Sequence, residues 1–67
     1  MISLTVNGKR TQLDKPITLD RFLTEHGVNP KFVAVAYNGT VLQRDEFSAT
    51  TLNSGDTLEI VRPVGGG

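Results

Sequence analysis

The sequence predicts an α+β domain: a mixed five-stranded sheet with one helix across one face, followed by a flexible C-terminal glycine tail. Three observations carry that class. Asn7-Gly8 and Asn38-Gly39 each lie between strand-forming residues, and both positions of a two-residue hairpin turn need positive φ. Residues 19–26 place Leu19, Phe22 and Leu23 on one helical face. Residues 57–62 form a further strand, with Leu58 and Ile60 on one side and Val61 on the other.

Ile2, Leu4 and Val6 alternate with Ser3 and Thr5, the period of a half-buried strand. A two-residue turn at Asn7-Gly8 pairs Leu4 with Thr11 and Ile2 with Leu13, and sets Ser3 and Thr5 opposite Gln12 and Arg10. One face of this hairpin is therefore apolar and the other polar. Pro16 ends the second strand because it cannot donate to a ladder. Thr18 is placed to cap the helix, with Asp20 in its first turn and Ile17 and Phe22 at the spacing of a hydrophobic staple. Gly27 suits a left-handed residue after the last turn, and Val28 then reaches back to Leu23. His26 falls in the last turn, where a partial positive charge is favoured.

After the turn at Asn29-Pro30, residues 32–37 read as a strand entering the second hairpin. The same register pairs Val35 with Leu42 and Ala36 with Val41. Val33, Val35, Tyr37 and Leu42 then face the core, while Ala34, Ala36, Val41 and Val61 share the face away from the helix. Residues 44–49 read as a loop or a single helical turn, with Asp45 and Glu46 solvated, and Asn53-Ser54-Gly55-Asp56 as a turn. For its apolar side to meet the helix, the final strand must lie centrally beside the first. That order is the β-grasp arrangement of ubiquitin-like proteins.

The 67 residues bound one small domain, divided into a folded body at 1–63 and a tail at 64–67. Seven Lys and Arg balance seven Asp and Glu, so no electrostatic footprint for nucleic acid is present. With no Cys and a single His, neither a disulfide framework nor a metal site is expected, nor a nucleophile–base pair. The longest apolar run, residues 32–37, cannot span a bilayer, and no basic stretch suggests a signal peptide. A soluble, cytoplasmic protein is expected.

Val64-Gly65-Gly66-Gly67 has no core to build and no Cβ at three of its four positions. Fully extended it reaches roughly 13 Å at about 3.3 Å per residue. A strand ending in such a peptide can present a bare α-carboxylate to a narrow active site on another protein.

On these residues the chain resembles the ThiS-type sulfur carriers of thiamine biosynthesis. The resemblance runs through the first strand and turn, Asn38-Gly39, Gly55-Asp56 with Glu59-Ile60-Val61, and most specifically Pro63-Val64-Gly65-Gly66-Gly67. It implies that a ThiF-type, E1-like adenylating enzyme uses ATP and Mg²⁺ to activate the Gly67 carboxylate, this chain binding no cofactor itself. Sulfur from a persulfide donor then yields a thiocarboxylate, and a ThiG-type thiazole synthase takes the sulfur. The chain is thus expected to be a co-substrate and not an enzyme, with Ala34, Ala36, Val41 and Val61 as its partner-binding surface. Carrier chemistry for molybdopterin or another product, a ubiquitin-like modifier and a plain interaction module are the alternative readings.

Overall fold

The computed structural model describes residues 1–62. The tail expectations for Val64, Gly65, Gly66 and Gly67, and the boundary drawn at Pro63, lie outside the described residues. Strands β1 (Ile2–Val6) and β2 (Lys9–Leu13) form the first hairpin, in the register read from the turn. Asn7 sits at φ 51° and Gly8 at 81°, the left-handed geometry that selects Asn-Gly. Helix α1 (Leu19–Glu25) follows, then β3 (Ala34–Tyr37), β4 (Thr40–Val41) and β5 (Thr57–Val61). The sheet order is β2-β1-β5-β3-β4, with β5 parallel to β1 and the other pairs antiparallel. The last described strand therefore fills the centre.

The core lies between sheet and helix. Leu4, Leu19, Leu23, Val35, Leu52 and Leu58 are fully buried, joined by Ile2, Phe22, Val33 and Phe47. Tyr37, Leu42 and Ile60 pack against this cluster but remain half-buried. Leu58, and not Ile60, is thus the deepest residue of β5. Phe47 and Leu52 were not among the expected core residues. Phe47 comes from a 3-10 helix at Arg44–Ala49, longer than the single turn anticipated. Glu46 holds its start by accepting the Gln43 N–H at 2.6 Å, so this carboxylate caps a helix and is not merely solvated.

Other differences are local. Thr18 occupies the N-cap, but its hydroxyl donates to Asp20 Oδ1 at 2.5 Å, and that oxygen accepts the Arg21 N–H at 2.8 Å. The carboxylate, a stronger acceptor than a hydroxyl, takes the capping role. The helix stops at Glu25 with His26 as its C-cap. Gly27 at φ 72°, Val28 N–H to Leu23 C=O at 2.8 Å and Gly27 N–H to Thr24 C=O at 3.1 Å complete the expected Schellman motif. The strand expected over 32–37 begins only at Ala34, because Pro30–Phe32 is a 3-10 turn. Pro30 fixes its own φ, and Asn29 Oδ1 accepts the Lys31 N–H at 2.9 Å.

The turn before β5 is built around Asp56. Its carboxylate accepts from Tyr37 OH at 2.7 Å, Asn53 N–H at 2.8 Å and Asn38 Nδ2 at 3.2 Å. Asn38 also fastens the start of β5: its Oδ1 accepts the Thr57 N–H at 2.8 Å and its own N–H donates to Thr57 C=O at 2.8 Å.

Candidate functional site

The site is the end of β5 and the sheet face beside it. β5 runs up the middle of the sheet and stops at Val61, with Arg62 the final described residue before 63–67. Its start is paired along both edges, whereas from Glu59 to Val61 its backbone pairs with β3 alone and the Asn7 side chain meets it on the other edge.

On the face away from the helix, Ala34 pairs with Val61 across β3–β5 and Ala36 pairs with Val41 across β3–β4. The period of two puts all four side chains on one side, as the sequence indicated. Val41 is 73% and Val61 58% exposed, and Ala34 is exposed as well. The patch is not wholly apolar: Glu59 lies directly opposite Ala36 on the β5 side, two residues from Val61. Strand alternation shows this position as well, since Glu59 and Val61 are two apart. Beyond Glu59 the same face turns polar with Thr57 on β5 and Thr5, Ser3, Arg10 and Gln12 on β1 and β2.

On the helix side, Val6, Phe22, Leu23, Val28 and Ile60 wall an open groove of about 380 Å³, with Asn7, His26 and Arg62 at its margin. His26 donates from Nδ1 to the Phe22 carbonyl at 2.9 Å, and its ring lies 4.2 Å from that of Phe22. It finishes the helix. Asn7 does more than shape its turn. Its amide bonds both the N–H and the C=O of Ile60, at 2.7 and 3.3 Å. Sequence reasoning took Asn7 only as a turn former; the signal for this second role is Asn at a left-handed site where Gly would suffice.

Among the described residues, no group of three His, Cys, Asp or Glu side chains converges, and no helix is long and apolar enough to cross a membrane. What the described residues offer is the end of a central strand and a partly apolar surface beside it.

A mixed five-stranded sheet of this order, crossed by one helix, defines a ubiquitin-like β-grasp domain. The crystal structure of thiamine biosynthesis protein ThiS from Geobacter metallireducens superimposes with a TM-score of 0.85 at 38% identity, covering 98% of this chain and all of that one. A protein of Pyropia yezoensis called ycf40 is 39% identical over 66 residues, which span 98% of this chain and 93% of the relative. A thiazole synthase of Paramagnetospirillum magneticum is 33% identical over 66 residues. This chain spans only about one fifth of that protein's length, 20%. The ThiS family model matches residues 4–67. The chain belongs to the ThiS family, the sulfur carriers of thiamine biosynthesis.

Proposed function

We propose that this chain carries sulfur on its terminal acyl carbon for the thiazole moiety of thiamine. A ThiF-type enzyme joins the Gly67 carboxylate to AMP from ATP, with Mg²⁺ and release of pyrophosphate. A carboxylate is a poor electrophile, and the adenylate supplies the leaving group it lacks. The terminal sulfur of a persulfide donor then attacks the acyl carbon and AMP departs. A thiol takes the donor away as a disulfide, which leaves the thiocarboxylate. A ThiG-type thiazole synthase accepts the sulfur.

The observation that carries this reading is the position of β5: in sequence the central strand of a β-grasp sheet is followed, after Arg62, by Pro63-Val64-Gly65-Gly66-Gly67. Glycine suits a peptide that must enter a narrow site, since any Cβ widens it. The acceptor is supported by the relatives in which a stretch like this chain forms part of a protein called thiazole synthase. The adenylating enzyme docks on Ala34, Ala36, Val41 and Val61. Glu59 asks of it a cation, or a place at the rim, because a desolvated carboxylate without a partner is costly.

Mass spectrometry of the chain co-expressed with its adenylating enzyme tests the proposal. A C-terminal thiocarboxylate is expected; lysine adducts indicate a modifier, and an unchanged mass an interaction module. Deleting Gly67 leaves the new carboxylate about 3.5 Å short of its place. ATP–pyrophosphate exchange is then expected to fail, and Gly66→Val to fail with it because a branched residue is stiff and wide.

A further inference from the structure

The side chain of Asn7 takes over where the β1–β5 ladder stops. Backbone pairing between these strands ends at Val6 and Leu58, with the Asn7 N–H donating to Leu58 C=O at 2.9 Å. Ile60 lies two residues further on. It cannot turn to β3 for support, because Val35 opposite it sends its carbonyl to the Leu42 N–H at 3.0 Å, away from β5. Its N–H and C=O instead meet the Asn7 amide, which accepts at Oδ1 (2.7 Å) and donates from Nδ2 (3.3 Å). One side-chain amide thus mimics the peptide group of a missing neighbour strand. The left-handed backbone at Asn7, φ 51°, throws the amide across. Asp could only accept, and Gly could do neither.

We infer that Asn7 is a positioning residue for the acyl chemistry at Gly67: it fixes the heading of the end of β5, from which residues 62–67 follow. The inference rests on the sulfur-carrier reading. A root free to swing spreads the carboxylate over more space, so fewer docked complexes have it placed for adenylation. The molecule contains its own control. Asn38 occupies the same place in the second Asn-Gly turn, at the same φ of 51°, and clasps β5 at Thr57. Both amides secure β5; only that of Asn7 is at the end that leads to Gly67.

Asn7→Gly and Asn38→Gly both keep the positive φ, and each is compared with wild type in ATP–pyrophosphate exchange with the adenylating enzyme. For Asn7→Gly, kcat is expected to fall about 3- to 10-fold, the factor that two exposed hydrogen bonds carry, with KM within about twofold because the docking face is intact. Asn38→Gly is expected to lower the denaturation midpoint and leave kcat unchanged. Should Asn7→Gly fail to fold, Asn7→Asp replaces it, with a smaller fall in kcat expected. Equal kcat for the Asn7 and Asn38 variants, or a rise in KM alone, would overturn the positioning role. Wild-type chain that supports no exchange would overturn the carrier reading and this inference with it.

Discussion

Asp56 shows how much one side chain can organise. Burial pushes its carboxyl upward, but hydrogen bonds from Asn53, Tyr37 and Asn38 outweigh burial and leave it below the ordinary value of 3.8. The same bond to Asp56, then burial and the nearby charge, hold the Tyr37 hydroxyl above its ordinary 10.0. For Asp56 the folded pKa is depressed, so its contribution is present above the unfolded value and disappears as pH falls through the folded one. For Tyr37 the folded pKa is raised, so its contribution holds below the unfolded value and disappears as pH climbs through the folded one. Urea denaturation between pH 3 and 7 is expected to show wild type losing more stability on acidification than Asp56→Asn. Parallel curves would mean that the network does not discriminate between the two charge states. Little of this was legible beforehand. Gly55-Asp56 marked a turn, but nothing in the order of residues joins Tyr37, Asn38 and Asn53 to one carboxylate.

At the scale of elements, hairpins and helix were legible because turn chemistry and periodicity agree there. Two Asn-Gly turns set the registers of β1–β2 and β3–β4, and a one-residue slip would send the apolar set to solvent. The segments around Phe32 and Phe47 were not legible, since a 3-10 turn has no sustained period to read. Strand alternation shows the exposed patch, and the same alternation puts Glu59 on it, a polar position that apolar periodicity alone does not mark. Truncation of Leu4, Leu23 or Leu58 to Ala is expected to cost about 2–5 kcal/mol in chemical denaturation, and of Phe47 about 3–5. Val35→Ala should cost somewhat less than the leucines, having fewer atoms to lose. Ile60→Ala, half-buried, should fall below that leucine range; a loss as large as that of Leu58→Ala would contradict its placement. Val61→Asp should stay folded and raise the apparent KM for the adenylating enzyme with kcat nearly unchanged, the mark of lost uniform binding. A fall in kcat alone would put Val61 near the reacting centre, and an unchanged KM would remove this face as the docking surface.

At the scale of the molecule, the core of the described residues and the proposed chemistry occupy different parts of the chain. Among the described residues, all ten that are buried in the core lie between Ile2 and Leu58. A chain ending at Arg62 is therefore expected to melt within about 4 °C of the full chain, less than 1 kcal/mol would produce in a domain of this size. It should at the same time support no pyrophosphate exchange. A larger drop in midpoint would show that residues 63–67 hold the body together as well.

The central place of β5 has a consequence for how the protein is made. Its neighbours, β1 and β3, begin 55 and 23 residues earlier (57 − 2 and 57 − 34), so the sheet is closed by contacts of high sequence separation. Such contacts slow folding, because loop-closure entropy is lost before they form. On the ribosome, two hairpins and a helix emerge first, with the inner edges of β1 and β3 still open. Only when residues 57–61 have left the exit tunnel can the sheet close, so nascent chains arrested earlier should be sensitive to protease and longer ones resistant. Completion of the body thus waits for the very strand that precedes the proposed reactive segment.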